Sequence, residues 1–208
     1  MKRKLGIVAA FMLVFLAVTG CQKQEEPTKE PEQKQEKASE DLLSGTHHVE
    51  IQVKDYGTIA VELDADTAPI TVTNFVNLAK EGFYDNLTFH RIMDGFMIQG
   101  GDPNGDGTGG ADKTIKGEFS SNGVENEISH TRGTISMARA QDTDSASSQF
   151  FIVQEDSDYL DGDYAAFGHV TSGMEIVDQI CKDVPVEDDN GTVKAENQPV
   201  IEKITITD

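Results

Sequence analysis

The sequence predicts a mainly β protein, with short antiparallel strands in a closed barrel or sandwich and two helices. Three observations support this fold class. Short β-branched or apolar runs recur after residue 47 and are separated by Gly, Asn and Asp. Only two segments show the apolar spacing of a helix. The length of 208 residues and the apolar fraction of 37% suffice for one compact domain with a substantial core.

The N-terminus has the features of an export signal. Three basic residues, Lys2 to Lys4, precede the apolar run Leu5 to Val18, as in a secretory leader. A helix needs ~20 apolar residues to span a bilayer, so a permanent transmembrane segment fits less well. The run ends in Val18-Thr19-Gly20-Cys21, which resembles a bacterial lipobox. We therefore expect a signal peptide at 1–20 and a lipidated, palmitate-bearing Cys21; the alternative is an ordinary leader with an incidental cysteine.

Residues 21–46 are predicted to be a disordered tether. They consist largely of Gln, Glu, Lys and Pro and contain no aromatic residue. Such a segment cannot bury enough apolar surface to offset the entropy of ordering. A solvated helix of Lys and Glu pairs is the alternative for part of it, although Pro27 and Pro31 disfavour a long one. The folded domain is then expected at 47–208.

The first folded element is a predicted β-hairpin. His48 to Val53 and Thr58 to Leu63 alternate in the period-two pattern of strands, and the turn 54–57 separates them. Further short strands are predicted along the rest of the chain. They are Leu87 to Ile92, Met97 to Gln99, Gly133 to Met137, Gln149 to Val153, Phe167 to Val170 and a final strand containing Ile204 and Ile206.

Two helices interrupt the strands. Pro69 to Lys80 has apolar residues at helical spacing, with Pro at its start and Gly82 just beyond its end. Gly173 to Lys182 shows a second amphipathic pattern that places Cys181 on the apolar side. Cys181 is therefore expected in the core, and a disulfide with Cys21 is not expected.

The charge excludes some partners. The net charge of −20 argues against nucleic acid and against an anionic lipid surface, because both would repel the chain. The expected contact with a membrane is through the lipid anchor only.

A series of ordered motifs identifies a family resemblance. The segment 89–102 (FHRIMDGFMIQGGD) combines Arg, large apolar residues and Gln around a tight turn. It is followed by GTGG at 107–110, GTISMA at 133–138 and SSQFFI at 147–152. Tyr159-Leu160-Asp161-Gly162 and Phe167-Gly168-His169-Val170 come later. In order and spacing these segments resemble the cyclophilin family, from about His48 to the C-terminus.

The resemblance implies a fold and an activity. It implies a closed eight-stranded antiparallel barrel with a helix over each end, which binds extended proline-containing peptides in a groove on its outer wall. The implied activity is peptidyl-prolyl cis/trans isomerisation without cofactor or metal. With the leader, it implies a monomeric, lipid-anchored enzyme on the extracytoplasmic side of the cell membrane. Its expected partners are unfolded or proline-containing exported proteins.

The resemblance also assigns roles to residues. The catalytic residue of the family falls on Arg91, and Gln99, Gln149 and Ala138 match groove residues that contact the peptide. The apolar proline pocket falls on Phe96, Met97, Phe151 and Leu160. Three positions depart from well-studied eukaryotic members, which carry Asn, Trp and His where this sequence has Arg139, Tyr159 and Tyr164. The extra cation of Arg139 predicts a preference for acidic residues near the substrate proline, and Tyr159 bears on sensitivity to cyclosporin-type inhibitors.

Other readings of the sequence have less support. The segment Asp102 to Gly107 resembles the start of a calcium-binding loop, but the twelfth position is Lys113 instead of Glu. The five histidines lack metal-ligand spacing, and no Ser-His-Asp signature of a hydrolase appears. A non-catalytic chaperone or binding module using the same groove is the rival hypothesis. A weaker one is an interaction protein that uses the acidic surface.

Overall fold

The structure is a computed structural model that describes residues 42–208. The predicted signal peptide, Cys21 and the tether as far as residue 41 lie outside the described residues. Contacts with the domain begin inside the last part of the predicted tether: Leu43 N–H donates to Thr73 Oγ1 at 2.9 Å, and Gly45 N–H donates to Asp66 Oδ1 at 2.7 Å. Within residues 42–208, no helix has the length and apolar character needed to cross a membrane.

Eight antiparallel strands form one sheet, and each lies where the sequence predicts a strand. The first two form the predicted hairpin, in which Val49 pairs with Val61 and Ile51 with Ile59. These four side chains are buried because they share the inner face of the pleat. The strands are β1 Thr46–Val53, β2 Gly57–Asp64, β3 Thr88–Met93, β4 Met97–Asp102, β5 Thr134–Met137, β6 Phe150–Val153, β7 Ala166–Ser172 and β8 Ile201–Ile206.

The sheet is curled but open, which corrects the prediction of a closed barrel. Its strand order is β3-β4-β6-β5-β7-β2-β1-β8, so β3 and β8 are its edges. These edges approach each other around an isolated bridge between Thr88 and Val200, next to which Ile201 N–H donates to the carbonyl of Leu87 at 2.7 Å. Beside this bridge Phe89 N–H donates to the carbonyl of Pro199 at 2.9 Å. Proline has no N–H to donate, so the ladder between the two edges does not extend through Pro199.

Both predicted helices are confirmed. Helix α1 spans Pro69–Lys80 and packs against β8 and β2; helix α2 spans Met174–Asp183 and packs against β2 and β3. The residue before α1 is Ala68, which has no side chain to cap the helix. Buried Glu118 supplies the cap instead, because its carboxylate accepts the N–H groups of Ile70 at 3.0 Å and Thr71 at 2.8 Å.

The core lies between the inner face of the sheet and the helices. Phe75 of α1 is fully buried, and its ring centroid lies 5.0 Å from Tyr84, 5.4 Å from Phe150 and 5.3 Å from Phe167. Cys181 is buried in the core, as predicted, and is a free thiol. Burial raises the pKa of Cys181 to about 12, which keeps the thiol protonated and unreactive at neutral pH.

Candidate active site

A second, smaller apolar cluster lies on the face of the sheet opposite the core. Along β6, Phe150 and Ile152 belong to the core, whereas Phe151 and Val153 belong to this second cluster. The division follows from the alternation of side chains along a strand. We name as the apolar pocket the members of the cluster that line the adjacent groove. They are Phe96, Met97, Ala138, Phe151, Leu160 and Tyr164.

The groove beside this pocket has a volume of about 800 Å³. Nine of the predicted site residues line it: Arg91, Phe96, Met97, Gln99, Ala138, Arg139, Phe151, Leu160 and Tyr164. Gln149 lies in an adjoining cavity of about 240 Å³, which Gln99, Ala138 and Arg139 also line. Tyr159 stands beside the pocket, 67% exposed, with its ring centroid 6.0 Å from that of Phe96. The structure therefore brings all the predicted groove residues to one face.

Arg91 is half-buried between the groove and a loop near the C-terminus. Its Nε–H donates to the carbonyl of Asn190 at 2.8 Å, and its Nη1–H donates to Gln99 Oε1 at 3.2 Å. Burial lowers the pKa of Arg91, and the nearby hydroxyls of Tyr164 and Tyr159 oppose this effect. A guanidinium remains charged in proteins despite such a shift. Arg91 thus presents a fixed positive charge to the groove.

Gln99 and Gln149 form a chain of hydrogen bonds that ends at Arg91, and we call this chain the glutamine relay. Gln149 Nε2–H donates to the carbonyl of Gly109 at 2.7 Å, and Gln99 Nε2–H donates to Gln149 Oε1 at 2.9 Å. Because a carbonyl can only accept, this contact fixes the direction of both amides. The Oε1 atom of Gln99 is consequently the one that faces Arg91.

Arg139 is anchored along its length. Its Nε–H donates to the carbonyl of Asp163 at 2.9 Å, and its Nη1–H donates to the carbonyl of Ala140 at 2.9 Å. The guanidinium carbon lies 4.8 Å from the ring centroid of Tyr164 and 5.2 Å from that of Phe119. Arg139 therefore braces Tyr164 by cation–π contact in addition to lining the groove.

Sequence reasoning missed the loop that holds Arg91. Glu187 to Asp189 are exposed and form an acidic loop. The same loop continues into Asn190, which binds Arg91, and into Thr192, which bridges to Arg91 through the backbone. Asp188 shapes this turn by accepting the N–H groups of Asn190 at 3.0 Å and Thr192 at 3.1 Å. The contact spans 99 residues in sequence, and no local pattern signals it.

His90 is a further groove residue that the sequence analysis did not single out. It precedes Arg91 at a bulge of β3, is 4% exposed and lines the groove. Neither ring nitrogen has a hydrogen-bond partner among the described residues. Burial lowers the pKa of His90, against the opposing effect of Asp102, so its imidazole is neutral at neutral pH. Its position beside Arg91 in the 89–102 motif was the available signal.

The calcium-loop reading finds no support in the geometry. Asp102 is buried, and its carboxylate accepts the backbone N–H groups of Asn104 at 2.8 Å, Asp106 at 3.1 Å and Gly107 at 2.6 Å. These bonds direct the carboxylate toward its own turn. Within residues 42–208, no three His, Cys, Asp or Glu side chains are grouped so as to hold a metal ion.

A curled antiparallel sheet with an apolar pocket beside a fixed guanidinium on its outer face defines a cyclophilin-like protein. The family model for cyclophilin type peptidyl-prolyl cis-trans isomerase/CLD matches residues 48–208. The chain therefore belongs to the cyclophilin-type peptidyl-prolyl cis-trans isomerase family.

Individual relatives agree with this assignment. The chain is 46% identical to peptidyl-prolyl cis-trans isomerase B of Bacillus subtilis over 140 residues, which cover 65% of this chain and 94% of the relative. It is 46% identical to a peptidyl-prolyl cis-trans isomerase of Helicobacter pylori over 143 residues, 68% of this chain and 84% of the relative.

Solved structures show the same likeness. A crystal structure of a cyclophilin type isomerase of Cryptosporidium parvum superposes with a TM-score of 0.69 at 30% identity, covering 79% of this chain and 99% of that one. A second structure of that protein, in the presence of the dipeptide Ala-Pro, gives a TM-score of 0.68 at 31% identity and covers 77% and 99% of the two chains. The activity of this protein is accordingly peptidyl-prolyl cis-trans isomerisation, and it acts on proline-containing peptides.

Proposed function

We propose that Arg91 is the catalytic residue and that it acts by stabilising the twisted X-Pro amide. Rotation about this bond is slow because amide resonance must be broken, at a barrier of ~18–20 kcal/mol. No covalent bond is made or broken in the protein or the peptide. The enzyme therefore has to bind the twisted amide more tightly than either planar isomer. A guanidinium donor directed at the freed nitrogen lone pair or the adjacent carbonyl does this selectively.

The single observation that carries this proposal is the position of Arg91 at the edge of the apolar pocket. Its Nε is held by Asn190 and one Nη by Gln99. The guanidinium is thereby oriented before the substrate arrives, so little rotamer entropy is lost at the moment of rotation. Apolar walls also lower the local dielectric, which strengthens the contact between the charge and the amide.

The apolar pocket is proposed to hold the pyrrolidine ring. Met97 and Phe151 are almost fully buried and form its floor, while Phe96, Leu160 and Tyr164 are partly exposed around it. With the ring held, rotation takes place in the part of the peptide before the proline. Gln99 and the strand end at Ala138 are proposed to bind the peptide backbone. Because Ala138 N–H already donates to the carbonyl of Gln149 at 2.9 Å, other backbone groups there must pair with the substrate.

The proposed setting is the extracytoplasmic face of the cell membrane. The lipobox-like sequence before Cys21 supports lipidation there, and two acyl chains suffice for stable anchoring. Exported proteins that emerge unfolded nearby are then the proposed substrates. A Cys21→Ala variant expressed in a bacterial host should move from the detergent phase to the aqueous phase in a phase-partition assay. Retention of the variant in the detergent phase would overturn the anchor assignment.

Exchange spectroscopy tests the catalytic role of Arg91. Cis/trans exchange of a short Ala-Pro peptide should be accelerated by the wild-type protein. Removing one such donor typically costs 10²- to 10³-fold in kcat, and Arg91→Ala should lose at least about this much. Lys203→Ala, which removes an exposed cation on β8, should retain full activity. Equal turnover by wild type and Arg91→Ala would overturn the mechanism.

A further inference from the structure

A hydrogen-bonded pair, Asp161 and His130, lies directly behind the apolar pocket. The Oδ1 atom of Asp161 accepts both the backbone N–H of His130 at 2.7 Å and the ring Nδ1–H at 2.7 Å. Its Oδ2 atom accepts Ser129 Oγ–H at 2.6 Å. A carboxylate with three donors is firmly oriented, since each such bond is charge-assisted.

The same pair fixes the orientation of the His130 ring. His130 is 1% exposed, and its Nε2 faces Ser136 Oγ at 2.9 Å. Burial lowers the pKa of His130, although Asp161 opposes this effect, so the neutral form predominates at neutral pH. With Nδ1–H donating to Asp161, Nε2 accepts the hydroxyl proton of Ser136, and only one tautomer satisfies both bonds.

This order of Asp, His and Ser is that of a hydrolase triad, but its burial excludes that chemistry. Ser136 is 0% exposed on β5, so its hydroxyl cannot reach a substrate. Both ring nitrogens of His130 are also engaged. The groups act on their neighbours and not on a substrate directly.

Those neighbours belong to two parts of the apolar pocket, the Phe151 floor and the Leu160 wall. The His130 ring stacks on Phe151, with centroids 5.9 Å apart and planes 16° apart, and meets the edge of Tyr164 at 6.4 Å. Asp161 directly follows the short 3₁₀ helix Asp158–Leu160, which carries the Leu160 wall. A further bond, from Ser157 N–H to the carbonyl of His130 at 2.7 Å, fastens the start of this segment.

We infer that Asp161 and His130 are positioning residues for the isomerase reaction. They set the distance between the Phe151 floor and the Leu160 wall and so hold the pyrrolidine ring still while the amide rotates. The inference rests on the proposed function of the apolar pocket. It assigns the control of pocket shape to a pair that does not line the groove.

The test compares two matched substitutions, Asp161→Ala and Asp208→Ala, because alanine removes every acceptor whereas asparagine would keep one. Asp208 also accepts a backbone N–H, from His48 at 2.6 Å, and a histidine Nδ1, from His47 at 2.8 Å. The two carboxylates are 38% and 37% exposed, but Asp208 lies at the end of the chain, away from the groove. Activity is measured by cis/trans exchange of an Ala-Pro peptide, and the folded fraction by circular dichroism at the same temperature.

We expect Asp161→Ala, which leaves both N–H groups of His130 without this acceptor, to lower kcat/KM at least roughly tenfold, since displacements of ~1 Å in a site can cost 10²-fold. Asp208→Ala should stay within about twofold of wild type, because neither Asp208 nor its two histidine partners line the groove. Equal activities of the two variants, each fully folded, would overturn the inference. An inactive wild-type protein would instead refute the proposed function, so the two failures are distinguishable.

A double-mutant cycle separates positioning from loss of stability. If Asp161 acts through Phe151, its substitution should have much less effect on kcat/KM in a Phe151→Leu background. In a Gln149→Ala background the full effect should remain. The same fractional loss in both backgrounds would indicate general destabilisation and would contradict the inference. If Asp161→Ala does not fold, Ser129→Ala removes one of the three bonds to the carboxylate and should lower kcat/KM in the same direction with the same pattern of coupling.

Discussion

Changing Gln99 to Glu tests whether the glutamine relay matters for activity. In the native protein, Gln99 donates to Gln149 Oε1 at 2.9 Å and accepts from Arg91 at 3.2 Å. In Gln99→Glu the amide donor becomes a carboxylate oxygen, which faces the acceptor of Gln149. Gln149 can relieve this only by turning its amide, which breaks its 2.7 Å bond to the carbonyl of Gly109. The added negative charge also competes with the substrate amide for the Arg91 guanidinium.

The size of the expected loss of kcat/KM follows from the hydrogen bonds that the substitution breaks. Leaving a buried hydrogen-bonding group unpaired costs about 1 to 3 kcal/mol. Because Gln99 and Gln149 are only partly buried, we expect the lower part of this range, about 1 to 2 kcal/mol or roughly 5- to 30-fold in kcat/KM. Exchange spectroscopy on an Ala-Pro peptide measures the loss. Gln52→Glu on the exposed side of β1 adds the same charge elsewhere and serves as the control. Lowering the pH should reduce the difference in kcat/KM between Gln99→Glu and the wild type, because a protonated carboxyl group at position 99 can again donate to Gln149. Wild-type activity of Gln99→Glu at neutral pH would refute the relay.

Two predictions concern stability. Glu118→Ala removes the carboxylate that caps α1 and leaves donors of Ile70 and Thr71 unpaired. Urea unfolding should show that the free energy of unfolding falls by about 2 to 3 kcal/mol. The control Glu175→Ala, at an exposed position of α2, should lower it by well under 1 kcal/mol. Acidification should destabilise the fold in two stages. Burial lowers the pKa of His130 in the folded protein. The contribution of neutral His130 to the free energy of unfolding is therefore fully present above pH ~6.5, the pKa of unfolded histidine, and declines as the pH falls below that value. Burial raises the pKa of Asp161, but hydrogen bonds from Ser129 and His130 outweigh this and lower it, so a second loss should begin near pH ~4. An unfolding free energy that stays constant between about pH 7 and pH 5 would contradict the first stage.

The local elements were predictable because their signals are local. The β1–β2 hairpin follows from the alternation of Val49, Ile51 and Val53 with exposed residues. Helix α1 follows from its apolar spacing and from Pro69 at its start. The openness of the sheet was not predictable in this way. It depends on how β3 and the segment around Pro199 approach each other, and these lie more than a hundred residues apart in the chain.

The predicted site residues come from several distant motifs, and the structure brings them together on one face. The supports of those residues could not be read from the sequence. The carbonyl of Asn190 that holds Arg91 is a backbone atom, so its residue type carries no signal. Likewise, Asp161 and His130 are 31 residues apart, and neither stands in a pattern that indicates their contact.

The sequence by itself therefore determined the elements, the family, and the residues of the apolar pocket. Each of these is encoded in residue type and short-range order: alternation, helical spacing and the segments around Arg91, Gln149 and Leu160. Only the tertiary structure decided the open sheet, the direction of the glutamine relay and the Asp161–His130 pair behind Phe151. These depend on hydrogen bonds and ring contacts between distant segments, and their distances and directions are set only when the curled sheet brings those segments together.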